Sequence, residues 1–526
     1  MKYKIFKRNY LFLLTILWFS ATFLTMVYGQ NKPKSRPNIL FIMADDHDSK
    51  AISAYGGKLN KTPNIDRIAD EGMLFSNCFV TNSICGPSRA AILTGKFSNK
   101  NGYYDNQAKA MFDGSQQTFP KLLQAAGYQT AIIGKWHLGI IPTGYDYYSV
   151  HDGQGTYYSP KFIEPTGEKI YEGAYATDLT LQNSIKWLQN TDKSKPFCLM
   201  MHFKAPHRNW MPAADKMNLY EDTTFPIPAN FFDNYEGRQA AKEQKMSIEK
   251  YMNIGGDSKI LGVKNTESGE DLENELKRMT PAQRAAFDKV YLPIKEDFTK
   301  KNLSGKELTL WKFQRYMRDY LKCVASVDDN VGKMIDYLKT NGLWENTIVI
   351  YTSDQGFYLG EHGWFDKRFM YEESFHTPFL ISYPKLIKKG TKTNALVQTI
   401  DFASTLLDLT GIKQPADLQG ESLKPILTAS KNKVREDLYY HYYEFPQPHA
   451  VKRHYGIRNE RYKLIHFYDD IDVWELYDLK NDSSEMKNLI DNPAYAKVIK
   501  DMKIRLKKLQ IKYDDTHPTD AYLQKQ

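Results

Sequence analysis

The stretch Asn38–Met43 (NILFIM), which ends just before Asp45 and Asp46, decides the fold class of this chain. An apolar run without polar alternation is typical of a strand that is buried on both faces, as in a parallel sheet. The same pattern recurs at 128–133, 197–203 and 347–352, and polar residues follow each run. We therefore predict four strands that share one open, mostly parallel sheet.

Helical periodicity fills the spaces between these runs. Helices are expected at 64–71, 87–93, 118–126, 176–190 and 316–338. Strands that alternate with helices predict an α/β fold with helices on both faces of the sheet. Residues 215–310 interrupt this rhythm, because they are polar and carry one clear helix start, at Thr280-Pro281. We interpret them as an insertion over one rim of the sheet.

The pattern changes again near residue 425. Residues 438–444 and 462–467 alternate like antiparallel strands, and 494–512 has the periodicity of a terminal amphipathic helix. We therefore expect residues 30–424 to form the large α/β domain. Residues 425–526 are expected to form a smaller α+β subdomain with an antiparallel sheet.

The first 29 residues have the composition of an export signal. Lys2, Lys4, Lys7 and Arg8 precede an almost wholly apolar run from Leu11 to Val27, and the small residue Gly29 follows. This pattern predicts a cleaved signal peptide over 1–29 and a periplasmic or extracellular protein. An uncleaved membrane anchor is the alternative, because the run approaches spanning length. No later run is as long, so we expect no stable membrane insertion after cleavage.

Composition excludes several classes of protein. Hydrophobic residues make up 42% of the 526-residue chain and charged residues 25%, which excludes a disordered chain. Four cysteines are too few for a disulfide scaffold. Without the four charges of the leader, the net charge of +9 falls to +5, which does not indicate a nucleic-acid-binding protein.

The polar residues that follow the predicted strands are candidates for a metal site. Parallel strands place their carboxyl ends at one edge of the sheet, where ligands bind. Asp45 and Asp46 follow the first strand, and Asp354 and Gln355 follow the last. Taken singly, such residues are more often turns or helix caps. Together, their oxygens favour Ca²⁺ or Mg²⁺ over zinc.

Basic residues follow the other two strands. Lys135 and His137 come after the second strand, and His207 comes after the third. A lone histidine in such a place is more often structural. At one sheet edge, however, the lysine suits an anionic substrate and the histidines suit acid and base roles.

Cys85 lies just before a predicted helix that has Pro87 in its first turn. A cysteine at a helix N-terminus is expected to have a lowered thiol pKa and to be reactive. A buried structural cysteine is the alternative, as we assume for Cys78, Cys198 and Cys323. A disulfide between Cys78 and Cys85 is a further alternative in an exported protein.

The segment around Cys85 resembles the signature of the type I sulfatases. Cys85-x-Pro87-x-Arg89 is followed by 90–96 (AAILTGK), and 127–139 (GYQTAIIGKWHLG) resembles the second signature of that family. The resemblance extends over residues 37–480. It implies an alkaline-phosphatase-like α/β fold whose small C-terminal subdomain closes one side of the substrate pocket. It also implies that a separate formylglycine-generating enzyme converts Cys85 to Cα-formylglycine.

The resemblance implies a role for each matching residue. One calcium ion would be bound by Asp45, Asp46, Asp354, Gln355 and the modified Cys85. Many relatives have Asn or His in place of Gln355, and all three side chains offer a ligand. The residues that match catalytic positions are Arg89, Lys135, His137, His207 and Lys367. The arginine would hold the hydrated aldehyde, the lysines would bind sulfate, and the histidines would transfer protons.

In the mechanism that this resemblance implies, a hydroxyl of the hydrated aldehyde attacks sulfur with calcium assistance, and Asp46 is the neighbouring base. His207, with Lys367, would protonate the departing alcohol. His137 would then take a proton from the second hydroxyl, so that sulfate leaves and the aldehyde re-forms.

Four segments resemble bacterial N-acetylglucosamine-6-O-sulfatases that act on heparin and heparan sulfate: 77–96, 112–120, 204–210 and 444–465. The resemblance implies exo removal of 6-O-sulfate from N-acetyl- or N-sulfoglucosamine in a sulfated oligosaccharide. The candidates for sugar binding are Arg208, Trp364, Arg368, His449, Arg453 and His454. For each of them, a solvated or packing role is the competing interpretation.

Three alternative functions stay open at this point. One is a sulfatase for another glycan sulfate, on iduronate, galactosamine or an algal galactan. Another is a phosphonate or phosphodiester hydrolase of the same fold. The third is a non-catalytic binder of sulfated glycans, which the intact set of matching catalytic positions disfavours.

Overall fold

A computed structural model of the chain describes residues 36–107, 111–264, 272–446 and 448–516. The expected signal peptide at 1–29 lies outside the described residues. The described residues from Pro37 onward form one compact unit, and the domain boundary near residue 425 stays a prediction. In the described ranges, no helix is both long and apolar enough to cross a bilayer.

The described strands form two sheets. They are β1 (Asn38–Ala44), β2 (Met73–Phe79), β3 (Gln129–Gly134), β4 (Tyr147–His151), β5 (Lys161–Glu164), β6 (Gly167–Ile170), β7 (Phe197–His202), β8 (Thr347–Ser353), β9 (His376–Ser382), β10 (Thr391–Thr393), β11 (Val397–Gln398), β12 (Leu438–Tyr442), β13 (His454–Arg458), β14 (Tyr462–Phe467) and β15 (Val473–Asp478). The large sheet has the order β10-β2-β9-β8-β1-β7-β3-β4-β5-β6, and β11 also pairs with β2. The small sheet, β12-β13-β14-β15, is antiparallel throughout.

The helices alternate with the strands through most of the chain. They are α1 (Pro63–Asp70), α2 (Cys85–Thr94), α3 (Ser98–Asn101), α4 (Phe119–Ala125), α5 (Ala176–Gln189), α6 (Gln239–Glu243), α7 (Ile248–Tyr251), α8 (Leu272–Leu276), α9 (Pro281–Lys301), α10 (Gly305–Thr340), α11 (Glu372–Phe375), α12 (Asp401–Thr410), α13 (Lys424–Leu427) and α14 (Ala496–Lys512).

Strand β1 is buried at every position. Leu40 and Ile42 belong to an apolar cluster on one face of the sheet, with residues of α1, α5 and α10. Ile39 and Phe41 belong to a cluster on the other face, with residues of α2, α4 and α12. Side chains of a strand alternate between faces, so a strand covered on both sides must be apolar throughout. The predicted α/β fold with helices on both faces is confirmed.

The four predicted strands are neighbours in the centre of the sheet. They are β3, β7, β1 and β8, and all three contacts between them are parallel. Their carboxyl ends therefore lie at one edge. The predicted antiparallel sheet of the C-terminal region is also present as β12–β15.

Several elements differ from the prediction. Strands β2 and β9 have no counterpart in it, and they pair antiparallel, as do β8 and β9, which makes the sheet mixed. Helix α10 begins at Gly305 instead of Tyr316. Its first turn is exposed, and the positions buried before Tyr316 include the polar Thr309, Lys312 and Arg315, which obscure the apolar periodicity. In the insertion, Thr280 does cap α9 through a capping box. Three short helices, α6 to α8, precede it there.

Gly134 lies at the carboxyl edge of the sheet. Its replacement by alanine gives a first prediction. It ends β3 at φ +103°, and a Cβ there would lie 1.8 Å from the carbonyl oxygen of His202. We expect Gly134→Ala to lower the free energy of unfolding by about 3 kcal/mol or more, because φ is unfavourable and the backbone of β7 must move. Chemical denaturation would measure this.

Gly127→Ala is the matched control for this variant. Gly127 also has a positive φ, +89°, but nothing lies within 4 Å of the position that an alanine methyl would occupy. We expect that substitution to cost about 1 kcal/mol, from backbone conformation alone. Equal losses in the two variants would contradict the steric explanation.

Candidate active site

The polar residues after the central strands converge, as the sequence predicts. The backbone N–H of Asp46 donates to Oδ1 of Asp354 at 3.2 Å, and Nζ of Lys135 forms an ion pair with Asp45. Asp46 has φ 66°, a left-handed conformation that is uncommon for residues other than glycine and often marks functional sites. The ends of three strands thus contribute to one buried cluster of charged side chains.

Cys85 lies within this cluster, at the first position of α2. Its thiol is 3.4 Å from Oδ1 of Asp45 and 3.5 Å from Nε2 of Gln355, and the residue is 1% exposed. Burial, reinforced by the charge of Asp45, raises the pKa of the Cys85 thiol to about 12. The expectation of a lowered thiol pKa is therefore wrong, because desolvation outweighs the helix N-terminus. All four cysteines are free, which excludes the Cys78–Cys85 disulfide.

Three carboxylates form the centre of the cluster. Oxygens of Asp45, Asp46 and Asp354 all lie within 4.8 Å of one another, and all three residues are buried. Burial and the charge of Asp45 raise the pKa of Asp354 to about 7; burial also raises that of Asp46 to about 6. At Asp45, burial is opposed by Lys135 and other cations, so its pKa lies well below the usual value. Such a group fits a hard divalent cation with oxygen ligands.

Gln355 completes the oxygen set. Its Nε2 donates to Asp46, while its Oε1 is buried and has no hydrogen-bond partner among the described residues. Buried amide oxygens are rarely left unpaired, so this one is available as a metal ligand. The residues present therefore fit the expected cation. Asp45, Cys85 and His207 form a second possible group, but its sulfur and nitrogen suit a softer metal.

Arg89 supports the cluster from α2. Its Nε donates to Oδ2 of Asp354 at 2.9 Å, and its Nη1 donates to the carbonyl oxygen of Lys135 at 2.7 Å. Its Nη2 forms an ion pair with the same oxygen of Asp354 at 2.8 Å. A planar guanidinium with several donors holds two strand ends in a fixed arrangement. Arg89 thus fixes the positions of Asp354 and Lys135 relative to Cys85.

Two lysines that are far apart in the sequence contact the carboxylates. Lys135 pairs with Asp45, and Lys367 donates to both oxygens of Asp46 at 2.7 Å. Lys135 also donates to Oε1 of Gln154 at 2.6 Å. Both lysines are nearly inaccessible to solvent, so their charges act in a medium of low dielectric. They are placed to attract a compact anion.

The two histidines differ in their contacts. His207 has Nδ1 bound to the carbonyl oxygen of Arg208 at 2.6 Å, and its Nε2 lies 3.7 Å from Asp46. His137 has a positive φ of 56°, and its Nδ1 has no hydrogen-bond partner among the described residues. Burial, with the charge of Lys135, holds the pKa of both rings well below the usual value. Burial and the neighbouring lysine thus favour the neutral form of both rings.

Two of the six candidates for sugar binding, Arg368 and His449, lie near this cluster. Arg368 has polar atoms to spare, whereas Nδ1 of His449 is bound to the carbonyl oxygen of Lys245 at 2.8 Å. Arg368 is 6% exposed, and its Nε and Nη1 lack hydrogen-bond partners among the described residues. Its nearest carboxylates are Asp366 at 3.8 Å and Glu444 at 4.0 Å. His449 lies 3.1 Å from Oδ2 of Asp366. These four side chains form a polar rim, which we call the Arg368 rim.

The other candidates have structural roles. Trp364 is fully buried, stacks on Phe369 and donates its indole N–H to Tyr235. His454 is fully buried and accepts from the backbone N–H of Met370. Sugar contact by Trp364 or His454 is therefore wrong, since neither has a surface to offer.

Arg453 and Arg208 are occupied by other partners. Arg453 pairs with Asp469 and donates to the carbonyl oxygen of Tyr443. Arg208 makes two parallel bonds to Asp257, at 2.7 and 2.6 Å. Bidentate pairs of this kind are strong and geometrically specific, so these arginines stabilise loops.

Sequence reasoning missed Gln154, Asn106 and Glu444. Asn106 accepts from the N–H of Gly86, next to Cys85, and its own N–H donates to Glu444. Glu444 in turn faces Arg368. These residues lie in irregular loops, where no periodicity marks them. The glycines on either side of Gln154 are the one signal that could have drawn attention to it.

Comparison with known proteins agrees with this geometry. A family profile described as "Sulfatase" matches residues 37–412. The chain belongs to the sulfatase family. A second profile, "N-sulphoglucosamine sulphohydrolase, C-terminal", matches residues 360–512 of this sulfatase.

Individual relatives agree as well. The sulfatase is 51% identical to an N-acetylglucosamine-6-O-sulfatase of Bacteroides thetaiotaomicron over 93% of this chain and 89% of the relative. A solved structure described as a complex with its substrate, D-glucosamine-2-N,6-O-disulfate, has a TM-score of 0.89 and 51% identity, and the match covers 92% of this sulfatase and 100% of that chain.

A phosphonate monoester hydrolase from Silicibacter pomeroyi has a TM-score of 0.67 at 19% identity, with 91% of this chain and 96% of that chain covered. That likeness extends to the alkaline-phosphatase-like fold alone.

Proposed function

We propose that this sulfatase removes the 6-O-sulfate from glucosamine residues at the ends of heparin or heparan sulfate fragments. The observation that carries this proposal is the 51% identity to an N-acetylglucosamine-6-O-sulfatase over 93% of the chain. The solved structure at the same identity, described with D-glucosamine-2-N,6-O-disulfate as its substrate, supports it. The Arg368 rim beside Cys85 supplies the polar groups that a sugar requires.

Two groups are proposed to complete the site. One is a calcium ion held by Asp45, Asp46, Asp354 and Gln355, and the other is formylglycine derived from Cys85. When present, the hydrated aldehyde supplies the attacking hydroxyl and a second hydroxyl for release of sulfate, while calcium offsets negative charge. The buried carboxylates and the unpartnered Oε1 of Gln355 support the cation.

The chain's own residues bind the anion and move protons. Lys135 and Lys367 flank the carboxylates, so their charges offset those of the sulfate oxygens as the S–O bond breaks. The carbonyl of Arg208 fixes the proton of His207 at Nδ1. Nε2 of His207 would therefore carry the proton that is given to the departing alcohol, which requires the imidazolium form of the ring at that step and leaves the ring neutral afterwards. His137, with an unpartnered Nδ1, is placed as the second proton acceptor.

The Arg368 rim is proposed to orient the sugar. Burial raises the pKa of Glu444, whereas at Asp366 the charges of Arg368 and His449 overcome burial and hold the pKa well below the usual value. The rim thus offers an ionised acceptor in Asp366 and guanidinium donors in Arg368. Alternating donors and acceptors suit neighbouring sugar hydroxyls better than they suit a flat aryl group.

Export and maturation belong to the same proposal. The leader at 1–29 supports a periplasmic or extracellular location. A formylglycine-generating enzyme is the partner required before activity. The polar, partly acidic rim gives no support to a nucleic-acid substrate.

A panel of defined sulfated sugars tests the proposal. With protein matured by a co-expressed formylglycine-generating enzyme, we expect hydrolysis of 6-sulfated glucosamine and no comparable hydrolysis of iduronate 2-sulfate, galactosamine sulfates or a phosphonate monoester. In the same panel, we expect Arg368→Ala to lower kcat/KM for the glucosamine substrate by about 10²-fold or more, because oriented sugar contacts are lost. Released sulfate measures both effects.

Arg505→Ala is the matched control for the arginine variant. Arg505 lies on α14 and pairs with Asp437 at 2.5 Å, away from the cluster. We expect its kcat/KM to equal that of the unsubstituted protein. Hydrolysis of another sugar sulfate with 6-sulfated glucosamine untouched would overturn the substrate assignment.

A further inference from the structure

The polar insertion contains a cavity that the catalytic site does not use. Its volume is about 320 Å³, within the range of small-ligand sites. Its wall includes Phe232, Tyr235 and Tyr251 together with Lys242, Lys250 and Lys306. We refer to it as the insertion pocket. This combination of aromatic rings and lysines around one cavity has no role in the catalytic site and requires an explanation.

The three lysines of the insertion pocket are unpaired. All three are exposed, and within the described residues none has a carboxylate within ion-pair distance, whereas Lys50, Lys216 and Lys339 each do. The lining acid Asp233 is already engaged by Arg238 at 2.6 Å and by His362 at 2.7 Å. Glu249 is the other lining acid. The pocket therefore has an excess of positive charge that fits an anionic ligand.

The aromatic residues give the pocket a flat apolar surface. Phe232 is 52% exposed, and it is the one aromatic ring among the large apolar side chains that the described residues expose. Lys306 lies over this ring at 5.2 Å. Tyr235 is held rigidly, since it donates to the carbonyl of His362 and accepts from the indole N–H of Trp364. An exposed ring beside cations suits a ligand with an apolar face and charged substituents.

The insertion pocket shares its wall with the catalytic loop. The backbone of Met246 accepts from the N–H of Phe365 at 3.1 Å, two residues before Lys367, and the N–H of Lys245 donates to the carbonyl of His449 at 2.7 Å. Gly363, from the same loop, lines the pocket. Segment 244–251 thus lies between the pocket and the part of the loop that carries Lys367 and Arg368.

We propose that the insertion pocket is a second, non-catalytic binding site for a sulfated sugar unit of a glycosaminoglycan chain. This inference rests on the proposed function for the identity of the glycan. The pyranose ring packs on Phe232, and its sulfates pair with Lys242, Lys250 and Lys306. The site keeps long fragments bound to the protein while their ends are desulfated. Glycan binding is then the function of the polar insertion.

Binding of a heparin hexasaccharide tests this proposal. The protein carries Cys85→Ala to prevent turnover and Arg368→Ala to weaken sugar binding at the catalytic site. Titration calorimetry is expected to detect residual hexasaccharide binding. Substituting Lys242→Gln, Lys250→Gln and Lys306→Gln together is expected to raise its Kd about tenfold or more, from the loss of three exposed charge pairs. Phe232→Ala is expected to raise the Kd about fivefold, from the loss of apolar contact.

The matched control places the same charge change elsewhere. Lys500, Lys507 and Lys508 are exposed on α14 and, among the described residues, have no acidic partner. Their triple replacement by Gln is expected to change the Kd less than twofold. Desulfated hexasaccharide is expected to bind at least tenfold more weakly. Thermal unfolding of each variant verifies that it is folded.

Three outcomes would overturn the proposal: no hexasaccharide binding by the protein that carries Cys85→Ala and Arg368→Ala, equal losses in the two lysine triples, or equal binding of the desulfated chain. The proposed function is judged separately, by hydrolysis of the monosaccharide with matured wild-type protein. Failure of one therefore does not imply failure of the other.

Discussion

Replacing Cys85 by alanine is expected to reduce sulfate release by about 10⁴-fold or more, because the nucleophile is derived from this side chain. Cys85→Ser produced in a host without a maturation enzyme should be as inactive, since a serine hydroxyl that accepted sulfate would have no second hydroxyl to expel it. Unmodified Cys85 should be equally inactive, because a thiol that accepted sulfate would also have no second hydroxyl to expel it. Release of inorganic sulfate measures activity, and mass spectrometry of the peptide that contains residue 85 measures conversion to the aldehyde.

Cys198→Ala is the matched control. Cys198 is also a buried, free cysteine, on β7 next to β1, with its thiol pKa likewise raised by burial. We expect it to lose about 1 kcal/mol of stability and to keep its activity. Full turnover by either Cys85 variant would exclude the formylglycine mechanism.

The second large effect is expected at Asp354. We expect Asp354→Asn to lower kcat/KM by about 10³-fold, because the substitution weakens both the proposed metal coordination and the ion pair with Arg89. The unsubstituted protein should gain about 2.7 kcal/mol of stability when calcium is present at a hundred times its Kd. The variant should gain little. Unfolding midpoints with calcium and with a chelator measure this difference.

Asp328→Asn separates this effect from the general cost of removing a buried carboxylate. Asp328 accepts from the backbone N–H groups of Asn64 and Ile65 at the start of α1. Its loss should cost about 1 kcal/mol, as for other helix caps, and leave the calcium-dependent shift intact. A normal calcium shift in Asp354→Asn would show that the cation is bound elsewhere.

The central sheet could be predicted because its strands are covered on both faces. β1, β3, β7 and β8 therefore have continuous apolar centres, and that pattern is visible in the sequence. β2 and β9 were missed for local reasons: β2 contains Ser76 and Asn77, and β9 contains Pro378. Their place in the sheet depends on pairing with strands that are distant in sequence, which local β-propensity cannot predict.

The convergence of the polar cluster could be predicted because most of its members follow a strand or, like Cys85, open a helix. Lys367 lies in an irregular loop, and only the family resemblance indicated it. The sugar-binding set could not be predicted, because a residue's proximity in sequence to a motif does not say which way its side chain points. Trp364 and Arg368 lie in one loop, yet the first is buried against Phe369 and the second faces the cluster. Likewise, the thiol pKa of Cys85 depends on Asp45, a residue from a different strand.

The 1% exposure of Cys85 sets an order of events during biosynthesis. Every residue of α2 is buried, so an enzyme that modifies residue 85 must reach it before this helix packs against the sheet. Folding is expected to be slow, because β1 must pair with β8, which is synthesised much later in the chain. That delay is the time available for modification. Variants that fold faster would therefore yield a smaller fraction of active molecules, although each folded molecule would be just as stable.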